Sequence, residues 1–60
     1  MNEEQVLALK RGDKVYWNDP DDGFTSRYIT IQSVKTQGEV VCIYGIDGDE
    51  LECFAEELSY

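Results

Sequence analysis

Histidine is absent from this 60-residue sequence. The chain therefore lacks the side chain that most often acts as a general base near neutral pH. Neither cysteine has an evident base beside it in the sequence, and the same is true of Ser26, Ser33 and Ser59. Carboxylates are plentiful, but general acid catalysis needs a raised pKa, and a domain this small has little surface that can desolvate them. The sequence predicts that the protein is not an enzyme.

Basic residues are also scarce, with 5 Lys and Arg against 13 Asp and Glu, for a net charge of −8. Binding to nucleic acid requires a surplus of positive side chains to contact phosphates, so direct nucleic-acid binding is not expected. An acidic surface instead favours a protein partner with a basic surface. The 2 cysteines without any histidine are too few for a zinc site, so no metal and no cofactor are expected.

Long apolar segments are missing as well. No run approaches the roughly 18 residues that a membrane helix needs, and no charged start is followed by an apolar stretch typical of a signal peptide. We expect a cytoplasmic protein without a membrane association. The hydrophobic fraction of 42% is too high for a disordered tail, which indicates one folded domain over residues 1–60.

Short β-strands joined by tight turns account for most of the chain. Residues 13–17, 26–35, 39–44 and 50–54 have strand composition, and Asp47-Gly48 between the last two is a strong hairpin signal. Residues 2–10 predict a short helix, with Asn2 as its N-cap and Val6 packed on the core, although a frayed terminus fits almost equally well. Residues 55–58 predict one helical turn. We therefore expect an N-terminal helix or arm over 1–11 and an all-β, bent antiparallel barrel of four or five strands over 12–60.

The pairing of strands follows from the turns. A two-residue turn at Asp47-Gly48 would place Cys42 opposite Cys53, and a two-residue loop at 37–38 would bring Ile31 opposite Tyr44. The alternation along the second strand breaks at Val34, which predicts a bulge near 32–33. The predicted core face of the hairpin consists of Val40, Cys42, Tyr44, Leu51 and Cys53. The two cysteines could then form a cross-strand disulfide, but two small buried thiols in a reducing cell are the favoured interpretation.

The loop after the first strand carries the candidate binding residues. Its carboxylates either bind a cation such as Ca²⁺ or cap backbone N–H groups of a Pro-Asp-Asp-Gly turn, and the spacing favours the turn because no glutamate stands where a calcium loop needs one. Aromatic residues flank this loop, and rings beside carboxylates suit proline or arginine side chains. The candidate partner-binding residues are Trp17, Asp19, Asp21, Asp22, Phe24 and Tyr28.

Residues 9–17, which contain Gly12-Asp13-Lys14-Val15, resemble the opening of SH3-like small barrels, in which a Gly-Asp-x-Val segment starts the first strand. Residues 52–58 look like the last strand and short helical turn of the same barrels, and 18–25 would correspond to their long first loop. The chain is similar in this respect to small bacterial or phage proteins of this type. It lacks the Ala-Leu-Tyr-x-Tyr segment of signalling SH3 domains and the basic loops of ribosomal barrels, so the resemblance implies the fold and not their ligands.

Two functions fit these features. The first is a non-catalytic protein-interaction module that uses the acidic and aromatic loop surface, as a monomer or a weak dimer. The alternative is a DNA-mimicking acidic inhibitor of a nucleic-acid-binding protein, for which the net charge of −8 on a tiny scaffold is the motivation. Mimicry needs carboxylates spaced like phosphates along one face, whereas here they are spread over the helix, the loops and the last strand.

Overall fold

The computed structural model describes residues 1–21 and 23–60. The candidate residue Asp22 lies outside the described residues. The elements in chain order are the helix α1 (Glu3–Leu7), the strands β1 (Lys14–Trp17), β2 (Arg27–Gln37), β3 (Val40–Gly45) and β4 (Glu50–Phe54), a 3₁₀ turn (Ala55–Glu57) and the strand β5 (Leu58–Ser59).

The five strands form one antiparallel sheet in the order β4-β3-β2-β1-β5. The long strand β2 is shared, since its first half pairs with β1 and its second half with β3. The register shifts between Ile31 and Ser33, which confirms the bulge predicted near 32–33. Such a bulge adds one residue to one strand and increases the bend, so β2 can turn from one half of the sheet into the other.

The all-β architecture is confirmed, but the barrel is not closed. Within the described residues, β4 and β5 stand at the two ends of the strand order, and each has one unpaired edge. The 3₁₀ turn connects them directly, and the two-residue strand β5 then pairs with β1. A hydrogen-bonded circuit would require β4 to pair with β5, and the turn between them carries the chain across that gap instead.

The β3–β4 hairpin differs from the prediction by one residue. Ile43 pairs with Leu51 and Val41 with Cys53, whereas the predicted pairs were Tyr44 with Leu51 and Cys42 with Cys53. The loop has three residues rather than two: Gly48 N–H donates to the Gly45 carbonyl at 3.2 Å, and Gly45 N–H donates to the Asp49 carbonyl at 2.6 Å. A two-residue type I′ turn needs a positive φ at both central residues. Gly48 has φ +90°, but Asp47 does not take a positive φ.

This one-residue shift exchanges the two faces of β3, because alternate side chains point to opposite sides of a sheet, whereas β4 keeps its predicted core face. Val41 and Ile43 are buried in the core, at 4% and 1% exposure. Val40, Cys42 and Tyr44, predicted to be core residues, are only partly buried. Among the predicted core residues of the hairpin, Cys53 is buried and Leu51 packs against the core.

The β2–β3 turn also differs from the prediction. Gln37 stays in the strand and pairs with Val40, so the turn consists of Gly38 and Glu39 rather than residues 37–38. Gly38 supplies the positive φ, +63°, as predicted. Glycine at the first central position with a positive φ is the pattern of a type II′ hairpin turn. Ile31 consequently pairs with Gly45 and not with Tyr44.

The helix α1 is shorter than the predicted 2–10 but begins where expected. Asn2 is its N-cap: the Asn2 side chain accepts from Gln5 N–H at 2.8 Å, and the Gln5 side chain accepts from Asn2 N–H at 3.0 Å. This reciprocal capping box satisfies two free N–H groups of the first turn. Val6 is 1% exposed and joins the core, which also contains Leu58. The helix thus covers the core rather than fraying. The buried residues are Val6, Val15, Ile29, Ile31, Val41, Ile43, Cys53 and Leu58.

Candidate interaction surface

The loop between β1 and β2 is organised by Asp19. One oxygen of its carboxylate accepts the backbone N–H of Asp21 at 2.9 Å, and the other accepts the hydroxyl of Thr25. The Asp19 N–H in turn donates to the Ser26 hydroxyl at 2.8 Å. These are the local side-chain bonds by which aspartate stabilises turns. Asp19 therefore takes the capping role that the sequence offered as the alternative to cation binding.

Trp17 is held at the end of β1 by contacts on its edge and its face. Its indole N–H donates to Glu57 Oε1 at 3.2 Å, and the Arg27 guanidinium carbon lies 5.3 Å from the centre of its ring. The second Glu57 oxygen accepts the Phe54 N–H at 2.8 Å. Trp17 is partly buried against the core. Because Glu57 and Arg27 occupy its polar edge and one face, Trp17 serves first to fasten the 3₁₀ turn to β1.

Arg27 joins the loop to the β3–β4 hairpin. Its Nε and Nη2 donate to the two carboxylate oxygens of Asp49 at 2.9 and 2.8 Å, and Nη1 donates to the Thr25 carbonyl at 2.8 Å. Hydrogen bonding to this guanidinium lowers the pKa of Asp49, and the same bond raises the pKa of Arg27. Sequence reasoning missed both this pair and the Trp17–Glu57 bond, because no local spacing links residues so far apart in the chain.

Phe24 and Tyr28 are exposed, at 89% and 65%. Tyr28 pairs across the strands with Tyr16, and the two rings meet edge to face with centroids 5.0 Å apart. Trp17 pairs with Arg27 and points to the other side of the sheet. Tyr16 was not among the candidates, although the alternation along β1 places its side chain on the other face of the strand from Val15 and Trp17. Only the register between β1 and β2 shows that it meets Tyr28.

The five candidates within the described residues consequently do not form one continuous cluster. Trp17 and Asp19 have structural contacts, Asp21 and Phe24 are exposed in the loop, and Tyr28 lies on the outer face of the sheet beside Tyr16. Exposed rings beside carboxylates can receive the guanidinium or ammonium groups of a partner. We call the set formed by the partly buried Tyr16 and the exposed Asp21, Phe24 and Tyr28 the loop surface.

The two cysteines lie on opposite faces of the hairpin, since Cys42 pairs with Glu52 and Cys53 with Val41. A disulfide between them would need both Cβ atoms to converge on one side, so the predicted cross-strand alternative is wrong and both are free thiols. Burial raises the pKa of the Cys53 thiol to about 11. The more exposed Cys42 is the accessible thiol of the pair.

Comparisons of the chain with protein-family models, with curated proteins and with solved structures found no match. Among residues 1–21 and 23–60, no helix has the length and apolar character to cross a membrane. The same residues contain no group of three or more potential ligands that could hold a metal ion.

Proposed function

We propose that the chain is a non-catalytic protein-interaction module and that the loop surface binds a partner with a basic surface. The exposure of Phe24, at 89%, is the observation that carries this proposal. A large aromatic ring in water forgoes the free energy that its burial would supply, and aromatic anchors of this kind dominate binding at protein interfaces. The tied loop presents Phe24 from a defined backbone, which lowers the entropy lost on binding.

The charge around the loop surface favours a cationic partner. Asp21 is exposed beside Phe24, and Asp47 is exposed on the neighbouring hairpin that Arg27 ties to the loop. Arg27 contacts Asp49 and also attracts Asp47, so the loop surface depends mainly on Asp21 for its local negative charge. With a net charge of −8, the whole chain attracts basic partners at long range.

The strand order supports an SH3-like arrangement as part of this proposal. A long loop between the first two strands and a helical turn directly after β4 match what the resemblance implies. A cytoplasmic location is part of the same proposal, and the free thiols of Cys42 and Cys53 are compatible with a reducing compartment.

Site-specific photo-crosslinking tests the proposal. The photoreactive phenylalanine analogue benzoylphenylalanine would replace Phe24 in one protein and Leu7, an exposed residue of α1, in the control. Both proteins would be irradiated in extract from the native host. We expect adducts that are specific to position 24 and that disappear when Asp21 is also changed to Asn. Identical adducts from both positions, or none from position 24, would contradict the proposal.

A matched pair of variants gives a second measurement. The double variant Asp21→Asn, Phe24→Ala removes one carboxylate and one apolar side chain from the loop surface. The double variant Glu4→Gln, Leu7→Ala removes the same from exposed positions of α1. Quantitative pulldowns should lose the partner with the first variant and keep it with the second. If both retain every partner equally, the loop surface is not the binding surface.

A further inference from the structure

A cleft that shares no residue with the loop surface lies between α1, the β2–β3 turn and the end of β4. Its volume is about 280 Å³. Its apolar floor and wall include Val6, Val41 and Phe54, and its rim carries carboxylates of three separate elements. These are Glu3 in the first turn of α1, Glu39 in the β2–β3 turn and Glu56 in the 3₁₀ turn.

The fold holds these elements together. Val6 anchors α1 in the core at 1% exposure, and the amino group of Met1 donates to the Ala55 carbonyl at 3.0 Å. Phe54 is 47% exposed, so its ring is accessible to a ligand in the cleft. The cleft is therefore formed by anchored segments rather than by chance contact of mobile ones.

Among the residues that the structure describes, no positive side chain lines the cleft. Lys35 is close in sequence, but it precedes the lining residue Thr36 on β2 and so points to the opposite face. In the described part of the chain, the one ion pair joins Arg27 and Asp49 at the other hairpin turn. The three glutamates of the rim have no hydrogen-bonded or ionic partner there. Their charge remains available to a cation from outside.

The size and lining select the kind of ligand. Pockets for drug-sized molecules occupy roughly 300–1,000 Å³, so the cleft suits a single long side chain. Arginine combines an apolar stem, which can pack on Ala55 and Phe54, with a planar cation that stacks on aromatic rings and donates to several carboxylates. Lysine offers a compact charge without the planar stacking surface. Phe54 and the glutamates together thus favour arginine.

We propose that this cleft binds an arginine side chain in a basic segment of a partner protein, with the guanidinium among Glu3, Glu39 and Glu56 and against the Phe54 ring. The site is separate from the loop surface, and it does not depend on Phe24 or Asp21. The protein can therefore contact one basic partner at two places, or two partners at once.

Titration with a defined peptide tests the site. The probe is a capped peptide of glycine and serine with two arginines, added at low salt to the ¹⁵N-labelled chain. Companion peptides carry lysine or the neutral analogue citrulline in place of arginine. We expect the amide shifts to concentrate at Glu3, Glu39, Phe54 and Glu56. Binding should be strongest for arginine, weaker for lysine and lost for citrulline.

Two charge-matched variants separate a specific site from general attraction. The triple variant Glu3→Gln, Glu39→Gln, Glu56→Gln and the control Glu4→Gln, Glu50→Gln, Glu52→Gln each remove three carboxylates from exposed positions. The cleft variant should bind the arginine peptide about ten times more weakly than the control does at low salt. Phe54→Ala, which keeps the charge, should also weaken binding and reduce the preference for arginine over lysine.

Several results would overturn the proposal. One is that the cleft variant and its control weaken binding of the arginine peptide equally. Others are equal affinity for the arginine and lysine peptides, or amide shifts spread over the whole surface. If the cleft variant does not fold by circular dichroism, Phe54→Ala decides, and unchanged binding by that variant would also overturn the proposal. Phe24→Ala should leave the amide shifts of Glu3, Glu39, Phe54 and Glu56 in the peptide titration unchanged. Failure of the loop surface in the crosslinking experiment is thus distinguishable from failure of the cleft.

Discussion

Val40 and Val41 are adjacent and chemically identical, yet the pairing of β3 with β4 places them on opposite faces. Val41 lies opposite Cys53 at 4% exposure, whereas Val40 is only partly buried. The substitution Val41→Ala removes about two methylene-sized groups from the core, each worth about 0.8 kcal/mol. The cavity left behind adds to this loss, so we expect a destabilisation of about 2 kcal/mol.

That loss is large for a chain of this size. At roughly 0.05–0.15 kcal/mol per residue, a domain of 60 residues has a free energy of unfolding of about 3–9 kcal/mol. A change of 1 kcal/mol shifts the Tm of such a domain by about 4–8 °C, so Val41→Ala should lower the Tm by roughly 8–16 °C. Val40→Ala removes the same atoms from a partly exposed position and should cost less than about 1 kcal/mol.

Urea unfolding of both variants measures the difference. The fluorescence of Trp17, the only tryptophan, is one probe, and far-UV circular dichroism is a second. Equal m-values would show that the two variants differ in stability and not in the compactness of the unfolded chain. If Val40→Ala proves as destabilising as Val41→Ala, or more so, the hairpin register described above is wrong.

Three further predictions concern the turn, the ion pair and the thiols. Gly48→Ala should destabilise the protein by about 1–2 kcal/mol in urea unfolding, because a positive φ is unfavourable for alanine. An unchanged urea midpoint would contradict the three-residue loop. The bond to Arg27 lowers the pKa of Asp49. The stability that this bond contributes is therefore present above the pKa that Asp49 has in the unfolded chain, and it is lost as the pH falls through the lower pKa that Asp49 has in the folded chain. The difference between wild type and Asp49→Asn, up to about 1 kcal/mol at neutral pH, should vanish in acid, and a difference that persists there would refute an ionic origin. Finally, a thiol reagent should modify Cys42 rapidly and Cys53 only on unfolding, because Cys53 is buried and its pKa is raised to about 11. The variants Cys53→Ser and Cys42→Ser each keep one of these thiols. Equal modification rates in the two variants would contradict the placement of the two cysteines on opposite faces.

Local patterns predict much of this fold. Turn-forming residues and β-branched runs locate the strands to within a few residues, and the break in alternation at Val34 predicts the bulge of β2. Asn2 marks the beginning of α1 because its side chain caps the first turn. Each of these features is decided by residues that are neighbours in the sequence, so the sequence contains the necessary information.

The hairpin register could not be predicted in the same way. Asp47-Gly48 is compatible with a two-residue turn and with a three-residue loop that ends in glycine. The choice depends on whether Asp47 takes a positive φ, and the gain from burying Val41 and Ile43 is decided by strands that are distant in sequence. A difference of one residue in the length of the β3–β4 loop was sufficient to exchange the core and outer faces of β3.

The sequence predicted which residues of the loop carry the candidate site, but it did not predict the contacts among them. The carboxylates and rings of residues 17–28 are visible in the sequence, but the contacts that divide them are long-range. Glu57 fixes Trp17 from beyond β4, and Tyr16 reaches Tyr28 only through the β1–β2 register. The cleft beside α1 combines three elements whose approach no local pattern encodes.

The register of β3 against β4 determines which side chains face outward and are available to a partner, and one NMR experiment measures it. Gly45 and Asp49 form a hydrogen-bonded pair, so Cys42 and Glu52 belong to the closely spaced, non-hydrogen-bonded pairs that alternate with such sites. A strong nuclear Overhauser effect between the Hα protons of Cys42 and Glu52 is the predicted result. A strong effect between the Hα protons of Ile43 and Glu52 in its place, which the register of a two-residue turn would give, would contradict it.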